Sequence, residues 1–307
     1  MKAAYFMKHG GPEVMQYGDV PDPVAGPGQV LVDVHAASVN GADWKVRAGQ
    51  YATITNVPYV PGRDFSGVVS ALGAGVSEFA IGDAVVGVCD VGQESAYAEK
   101  VAIKSAIVAR KPESLTHAEC AALSLIGLTA LISVEDTLQL KSGETILIQG
   151  GAGGVASFAI QLAKHIGARV ITTASAANHD YLRSLGTDQI IDYNKQDFTQ
   201  VVSGCDAVFD TVGGDVTQRS FAVLRPGGRA AFIASGHAAP TPSRTDVISL
   251  RPNVGRDRAH LDRTFALVTG GAIRAPEITL YSLSQAAAAH KVSEGRHFRG
   301  KLVFKVR

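Results

Sequence analysis

A glycine-rich segment is the first part of the sequence with residue types and spacing suited to chemistry. It reads Gly-Ala-Gly-Gly-Val-Ala over residues 151–156, between the apolar run 144–149 and a helical pattern that stops at Gly167. In such G-x-G-x-x-A spacing, the glycines permit a tight turn and close approach of the backbone to a pyrophosphate. The helix start offers unpaired N–H groups to the phosphates. A simple connecting turn is the alternative, but the strand and helix on either side favour a dinucleotide site formed by Gly151, Gly153, Gly154 and Val155.

The end of the next apolar run indicates which dinucleotide would bind. An NAD-selective site usually has an Asp or Glu about 20 residues further on, which holds the ribose hydroxyls. Here the run 169–175 ends in Thr-Thr-Ala-Ser and carries no acid. The missing carboxylate leaves room for the 2′-phosphate of NADPH, and candidate donors to it are Ser175, Asn178, Arg183 and Tyr193. Alternatively these are ordinary surface residues of a helix and a turn, which is the natural interpretation of Arg183.

The elements that must position this site alternate regularly from Thr116 onward. Thr116 and Glu119 match a capping box, in which each side chain satisfies a backbone N–H of the other, and an apolar run follows to Leu131. Strand and helix patterns then alternate through residues 144–236, which is typical of a parallel, doubly wound sheet. Two helical patterns and a strand close the chain, at residues 261–271, 282–295 and 300–306.

The first hundred residues have a different texture. Short apolar runs are separated by turn clusters rich in Pro and Gly, which predicts an irregular, β-rich domain. These runs cover residues 29–39, 65–73 and 83–91. The predicted fold class is therefore α/β, with a β-rich domain and a doubly wound domain.

Composition narrows the function classes. The 307 residues include 29 Lys and Arg against 28 Asp and Glu, so the chain has no strong field to attract nucleic acid or an anionic membrane. A hydrophobic content of 46% excludes disorder. The three cysteines lie far apart, which is typical of a reducing compartment. The start of the chain lacks a signal-peptide pattern, and no segment looks like the roughly 20 apolar residues of a membrane span, so we expect a cytoplasmic protein.

Segments along the whole chain together resemble a known family. They are ASVNGAD (37–43), GQY (49–51), VPGRDFSGVVSALGAGVSEFAIGDAVVG (60–87), SAYAEK (95–100), SLIGLTAL (124–131), GGAGGVA (150–156) and GRHFRGKLV (295–303). The resemblance is to the medium-chain dehydrogenase/reductase superfamily, and within it to the zinc-independent quinone oxidoreductase and enone (alkenal) reductase branch. It implies a GroES-like substrate domain from residues 1–117 and 256–307, a Rossmann NADPH-binding domain at 118–255, and a cleft between them.

The same resemblance implies roles for individual residues. Asn40 and Tyr51 match the Asn and Tyr that line the cleft at the nicotinamide, where an amide or a phenol can donate to a substrate oxygen or to the cofactor. Lys45 stands where some quinone reductases have a second Tyr, so a cation replaces that phenol. Asn178 stands where the 2′-phosphate site usually has a Lys. The other cofactor contacts that the resemblance implies come from Asn40, Thr129, Val212, Ala234, Ser235 and Gly236.

Two of these roles have plain alternatives. Asn40 could satisfy local backbone groups, and Tyr51 could be a surface aromatic residue.

The loop after Gly236 is expected to be short, because the carboxy-terminal half has few residues, and this would leave the cleft open.

The residues at the expected metal position speak against zinc. Zinc-bearing relatives carry a Cys near the position of Ser38 and Gly-His-Glu where this chain has Gly-Arg-Asp at 62–64. A catalytic zinc takes three protein ligands, and a guanidinium has no lone pair to offer. His117 and Cys120 lie one helical turn apart, but a histidine at a helix start beside a buried cysteine is the commoner arrangement. We therefore expect no metal.

The expected lack of zinc points to a substrate class. Without a Lewis acid, nothing stabilises the alkoxide that forms when an alcohol loses hydride, whereas a quinone or an enone delocalises the charge onto its own oxygen. The predicted function is an NADPH-dependent reductase of quinones or α,β-unsaturated carbonyls. The alternatives are an enoyl-thioester reductase and a non-catalytic, NADPH-binding sensor or structural protein. The resemblance also implies a two-fold homodimer that pairs through the Rossmann sheet edge and buries the strand at residues 227–235 and the segment after it.

Overall fold

The computed structural model of the chain describes residues 1–51, 54, 56–90, 92–236 and 238–307. Its strands are β1 (Lys2–Phe6), β2 (Met15–Asp19), β3 (Gln29–Ser38), β4 (Asp64–Leu72), β5 (Ala84–Val88), β6 (Lys100–Lys104), β7 (Val108–Arg110), β8 (Thr145–Gln149), β9 (Arg169–Ala174), β10 (Gln189–Asp192), β11 (Cys205–Asp210), β12 (Leu224–Phe232), β13 (Ile248–Leu250), β14 (Ile278–Ser282) and β15 (Lys301–Lys305). Its α-helices are α1 (Gly41–Arg47), α2 (His117–Leu131), α3 (Gly154–Ile166), α4 (His179–Ser184), α5 (Phe198–Val201), α6 (Asp215–Ser220), α7 (Arg258–Thr269) and α8 (Ala286–Gly295).

The chain divides into two compact units. Unit 1 contains Met1–Leu125, Arg256–Thr269 and Ala275–Arg307, and unit 2 contains Ile126–Gly255 and Gly270–Arg274. Unit 1 is therefore assembled from both ends of the chain, and unit 2 from its middle.

Unit 2 is built on a six-stranded sheet in the order β10-β9-β8-β11-β12-β13. Every strand pair in this sheet is parallel. Numbered from β8, the order is 3-2-1-4-5-6, the arrangement of a dinucleotide-binding doubly wound fold. Leu147, Ile171, Val208 and Phe232 are buried on neighbouring strands of its core. The predicted doubly wound parallel sheet is confirmed.

Unit 1 is built on a seven-stranded sheet in which β3 is the central element. Strand β3 pairs with β4, β6 and β15, in each case antiparallel, and β14 lies parallel to β15 at one edge. Phe65, Tyr97 and Phe304 are fully buried in its core. The register places Ser38, at the end of β3, opposite Asp64 on one side and opposite Val303 on the other. Residues far apart in sequence therefore meet at the end of β3.

Helix α2 begins where the capping box predicts. Glu119 N donates to Thr116 Oγ1 at 3.2 Å, and Thr116 N donates to Glu119 Oε2 at 2.8 Å. The helix then runs without a break from unit 1 into unit 2, since the division between the units falls between Leu125 and Ile126. The domain boundary at 117/118 that the resemblance implies thus differs from the structural division, which lies inside the helix.

The same helix is long and strongly apolar. It continues as a π-helical turn over Ile132–Thr137, and the combined helix His117–Thr137 has 21 residues and a mean hydropathy of 1.6. By length and composition alone this helix could cross a membrane. In the fold, 83% of the most apolar 18-residue stretch of this helix is buried, as in a core helix. A buried core helix is apolar on all sides because none of its faces meets water.

Candidate active site

The glycine segment leaves β8 and enters α3 at the carboxyl edge of the unit 2 sheet. Helix α3 begins at Gly154 with Gly153 as its N-cap, and no side chain within the described ranges caps it there. Its first backbone N–H groups therefore lack a side-chain acceptor. A helix start of this kind is suited to hold phosphate oxygens. Of the four candidate residues, Gly151 and Gly153 precede this helix start, and Gly154 and Val155 are the first two residues of the helix.

Thr173 of β9 holds the start of the glycine segment in place, and its neighbour Thr172 lies close to Gly151. Gly150 N donates to Thr173 Oγ1 at 3.1 Å and Gly151 N donates to the Thr173 carbonyl at 3.0 Å. The Thr173 hydroxyl in turn donates to Gln149 Oε1 at 2.7 Å. A Cβ atom on Gly151 would lie only 2.4 Å from Thr172 Oγ1, so a side chain there would displace the segment. The loop conformation therefore depends on glycine at this position.

The candidate 2′-phosphate donors lie together at the same edge. Ser175 follows β9 and Tyr193 follows β10, and these strands are neighbours with Ala174 opposite Asp192. Asn178 Nδ2 donates to Ser175 Oγ at 3.2 Å, and the Tyr193 side chain is 52% exposed. These three residues offer an amide and two hydroxyl groups to an anion.

Two other polar residues near this edge are otherwise engaged. Arg183 forms an exposed ion pair with Asp180 on α4, in keeping with its interpretation as a surface residue. Asp192, which the sequence reasoning did not single out, is buried, and its Oδ1 accepts a hydrogen bond from Asn194 N at 3.1 Å within its own turn.

The remaining candidate cofactor residues of unit 2 lie after β11 and β12. These strands are neighbours with Asp210 opposite Phe232, so Val212 and Ala234 each lie two residues beyond a paired position. Asp210 Oδ1 accepts hydrogen bonds from Val212 N at 2.8 Å and Gly213 N at 3.0 Å, which fixes the first of these turns. Ser235 Oγ donates to the Ala238 carbonyl at 3.4 Å. Two candidates remain: Gly236 is exposed, and Thr129 is buried on α2.

In unit 1, Asn40 lies in a buried polar cluster at the end of β3. Its Nδ2 donates to Asp64 Oδ1 at 2.8 Å and to the Ser38 carbonyl at 3.3 Å. The Ser38 hydroxyl also donates to Asp64 Oδ1, at 2.8 Å. Lys301 Nζ donates to Asn40 Oδ1 at 2.7 Å and to the Val39 carbonyl at 2.9 Å. Asn40 is only 8% exposed, so the alternative that its amide satisfies nearby protein groups describes much of its environment.

Asp43, three positions after Asn40, has a carboxyl group whose pKa is strongly shifted. Asp43 Oδ2 accepts hydrogen bonds from Asn40 N at 2.8 Å and from the Tyr97 hydroxyl at 2.7 Å. Complete burial raises the pKa of Asp43 to about 6, against the opposing effect of the Arg63 guanidinium. Burial likewise lowers the pKa of Lys301, although the charges of Asp64 and Asp43 oppose that shift. The sequence reasoning named neither Asp43 nor Lys301 as a site residue.

Tyr51 and Lys45 form a second group in unit 1. Lys45 Nζ lies 5.4 Å from the centroid of the Tyr51 ring, within the range of a cation–π contact. His9 bridges the segment on either side of Tyr51, because its Nε2 accepts a hydrogen bond from Ile54 N at 2.9 Å and its Nδ1 lies 3.2 Å from the Arg47 carbonyl. The structure thus keeps Tyr51 beside a cation.

The position expected of a metal is filled by hydrogen-bonded and ion-paired groups. The Arg63 guanidinium lies 3.4 Å from Glu94 and 3.8 Å from Asp43, while Ser38 and Asp64 bond to each other. In the part of the chain that the structure describes, no group of three or more His, Cys, Asp or Glu residues could hold a metal ion. His117 Nδ1 lies 2.7 Å from Ser66 Oγ, and burial lowers the pKa of this histidine to about 4.

Comparisons with known proteins agree with this architecture. The family model of the alcohol dehydrogenase GroES-like domain matches residues 26–113, and that of a zinc-binding dehydrogenase matches residues 185–304. A quinone oxidoreductase from Pseudomonas aeruginosa is 30% identical over 98% of both chains. The chain belongs to the medium-chain dehydrogenase/reductase superfamily, in its quinone oxidoreductase and alkenal/one reductase branch. The family resemblance carried by the sequence motifs is confirmed.

Solved structures of the same family share the whole fold. The quinone oxidoreductase from Coxiella burnetii is 37% identical, with a TM-score of 0.92 over 100% of this chain and 99% of that one. The Escherichia coli quinone oxidoreductase complexed with NADPH is 26% identical, with a TM-score of 0.91 over 100% of both chains. The GroES-like fold of unit 1 and the Rossmann-like fold of unit 2 are thereby confirmed.

Some relatives are longer than this chain. It spans 14% of a mycocerosic acid synthase-like polyketide synthase from Mycobacterium tuberculosis, to which it is 32% identical. It spans 66% of a 2-methylene-furan-3-one reductase from Solanum lycopersicum, to which it is 36% identical.

The geometry around Ser175 leads to a test of cofactor preference. One hydrogen bond to a charged group contributes about 1.5 to 3 kcal/mol, so we expect the ratio of kcat/KM for NADPH over NADH to be about ten to a hundred. The substitution Ser175→Asp places a like charge beside the phosphate and should abolish or invert this preference. Gln200→Glu, which adds the same charge on the exposed face of α5, should leave the ratio unchanged. A wild-type preference for NADH would contradict the assignment of these residues.

Proposed function

We propose that this protein is an NADPH-dependent reductase that transfers hydride to quinones or α,β-unsaturated carbonyls. The observation that carries the proposal is the carboxyl edge of the unit 2 sheet. A glycine segment held by Thr173 lies at this edge, and the amide and hydroxyl groups of Asn178, Ser175 and Tyr193 follow the neighbouring strands at the same edge. This edge fits a dinucleotide with a 2′-phosphate. The NADPH complex of the E. coli quinone oxidoreductase supports the same cofactor.

The chemistry of unit 1 supports a conjugated acceptor. Bound NADPH supplies the hydride, and its arrival at a quinone or at the β-carbon of an enone moves negative charge onto a distant oxygen. Such delocalised charge needs only modest hydrogen-bond donors, which a phenol or an amide can provide. Relatives named as a quinone oxidoreductase and as a 2-methylene-furan-3-one reductase act on conjugated carbonyls, which agrees with this substrate class.

In this proposal, residues of unit 1 hold the substrate oxygen as negative charge develops. The Tyr51 hydroxyl donates a hydrogen bond to that oxygen, and the Lys45 ammonium beside the ring adds a positive charge nearby. Asn40 is the second candidate donor. Its bond to the Ser38 carbonyl is 3.3 Å long, so this N–H is the one that an incoming oxygen can share. The candidate contacts to the cofactor come from the glycine segment and from the turns after β9, β11 and β12.

The proposal is tested by steady-state oxidation of NADPH with quinones, alkenals, enones and an enoyl thioester. We expect turnover with a quinone or an enone, and a kcat lower by roughly a hundredfold or more in Tyr51→Phe, because the phenol holds the oxyanion. Tyr17→Phe, which alters a half-exposed tyrosine on β2, should keep wild-type turnover. Turnover restricted to the thioester would support an enoyl-thioester reductase. Binding of NADPH without turnover of any acceptor would support a non-catalytic role.

We also propose that the reaction requires no metal. Ser38 and Asp64 are committed to each other and to Asn40, and the Arg63 guanidinium cannot ligate a cation. The purified protein should contain no stoichiometric zinc by elemental analysis, and treatment with a chelator should leave NADPH oxidation unchanged. One zinc per chain, lost together with activity, would refute this.

We further propose a cytoplasmic homodimer that pairs through the edge of the unit 2 sheet. Strand β12, at the position expected for this edge, is an interior strand because β13 covers it. The edge strand is β13, on which Ile248 is 51% exposed.

Light scattering should therefore give twice the mass of one chain at micromolar concentration. Ile248→Arg should shift this mass toward that of a monomer, because it places a charge in the proposed interface. Val201→Arg, at a 43% exposed site on α5, should not. A monomeric wild-type protein would overturn the assignment.

A further inference from the structure

The ammonium group of Lys301 is buried at the first residue of β15, beside the candidate active-site residue Asn40. Strand β15 runs antiparallel to β3 with Val303 opposite Ser38, and Val39 N donates to the Leu302 carbonyl at 2.9 Å. Continued by one residue, this register brings Lys301 to Asn40. The Lys301 residue is only 4% exposed, and its Nζ lies 2.7 Å from Asn40 Oδ1. The strand pairing thus places the Lys301 ammonium beside the Asn40 amide, although the two residues are 261 positions apart in the sequence.

The charges on either side of Asn40 define how its amide is oriented. The Lys301 ammonium can only donate, so it faces the amide oxygen, and the Asp64 carboxylate can only accept, so it faces the amide nitrogen at 2.8 Å. A flipped amide would place N–H groups against the ammonium and an oxygen against the carboxylate. Both contacts would be repulsive, and their cost is high because the three side chains are buried. The amide therefore has one favourable orientation.

We propose that Lys301 is a positioning residue that acts through Asn40. It holds the amide oxygen, so that the nitrogen keeps one hydrogen on Asp64 and presents the other, now weakly held by the Ser38 carbonyl, to a substrate oxygen. This inference rests on the proposed function for its catalytic consequence, but the placement of the amide can be tested separately.

The first test measures the amide itself. In ¹⁵N-labelled protein, the side-chain amide signals of Asn40 can be assigned by their loss in Asn40→Ala. They should shift in Lys301→Met, which keeps most of the aliphatic stem but removes the ammonium group. Lys305→Met, an exposed lysine on the same strand, should leave them in place. Asn40 signals that do not respond to Lys301→Met would overturn the proposal, whether or not the protein is active.

The second test asks whether Lys301 works through Asn40. Lys301→Met should lower kcat by about tenfold or more, part of what the loss of a donor to an oxyanion costs, with little change in the Kd for NADPH. In the Asn40→Ala background the same substitution should have little further effect on kcat, because the group that it positions is already gone. Two losses that simply multiply would show that Lys301 acts independently of Asn40 and would overturn the proposal.

The fold of the variant must be controlled because Lys301→Met leaves a buried carboxylate with less compensation. The double variant Lys301→Met/Asp64→Asn removes both charges together, and it should recover the melting temperature lost by Lys301→Met while its kcat remains low. Full recovery of kcat would mean that charge balance, and not the orientation of the amide, is what Lys301 supplies, and would overturn the proposal. If the wild-type protein reduces no acceptor, the proposed function fails, while the amide signals still decide the positioning role.

Discussion

The Asp64 carboxylate is fully buried at the start of β4, and both of its oxygens accept hydrogen bonds. Oδ1 accepts from the Ser38 hydroxyl and the Asn40 amide, and Oδ2 accepts from Leu125 N at 3.2 Å. A charge without water is costly unless donors surround it. The hydrogen bonds that meet this requirement join the end of β3, the start of β4 and the middle of α2. Strand β15 joins the same cluster through the Lys301 ammonium, which donates to the Asn40 amide. The arrangement of unit 1 around its candidate site follows from satisfying this one group.

Unit 2 meets a different requirement, which is to leave backbone donors free. Its parallel strands put all their carboxyl ends at one edge, and with Gly153 as N-cap the start of α3 has no side-chain cap in the described part of the chain. Thr173 of β9 fixes the loop, because it accepts hydrogen bonds from the backbone N–H groups of Gly150 and Gly151 and its hydroxyl donates to the Gln149 side chain. Rigid support of the loop and open donors at the helix start are both needed, because only preordered N–H groups can hold a phosphate without first rearranging.

Much of unit 2 could be predicted because its signals are local. The glycine segment before α3 and the glycine stop of that helix at Gly167, where φ is 93°, are each encoded within a few residues. The capping box at Thr116, which lies in unit 1, is an equally local signal. Unit 1 is different, since helix α1 and the hairpin of β1 and β2 carry weak periodicity and were not predicted. The environment of Asn40 depends on Asp64, 24 residues away, and on Lys301, 261 residues away, which no local pattern connects. The motif GRHFRGKLV marked Lys301 as part of a family, but only the strand register reveals what its ammonium contacts.

The chemistry available to unit 1 follows from how its charges are held. A metal ion can exchange one ligand for a substrate oxygen, whereas the ammonium of Lys301 and the guanidinium of Arg63 have fixed partners inside the protein. Fixed groups of this kind orient other donors and balance buried carboxylates, but they leave little charge to stabilise a localised alkoxide. In the proposed reaction, the groups that face a substrate are two neutral donors, the Tyr51 hydroxyl and one amide hydrogen of Asn40, with the Lys45 ammonium beside the Tyr51 ring. A site of this type is matched to an acceptor that spreads the incoming negative charge over its own conjugated system, and this connects the buried network of unit 1 to the proposed class of substrates.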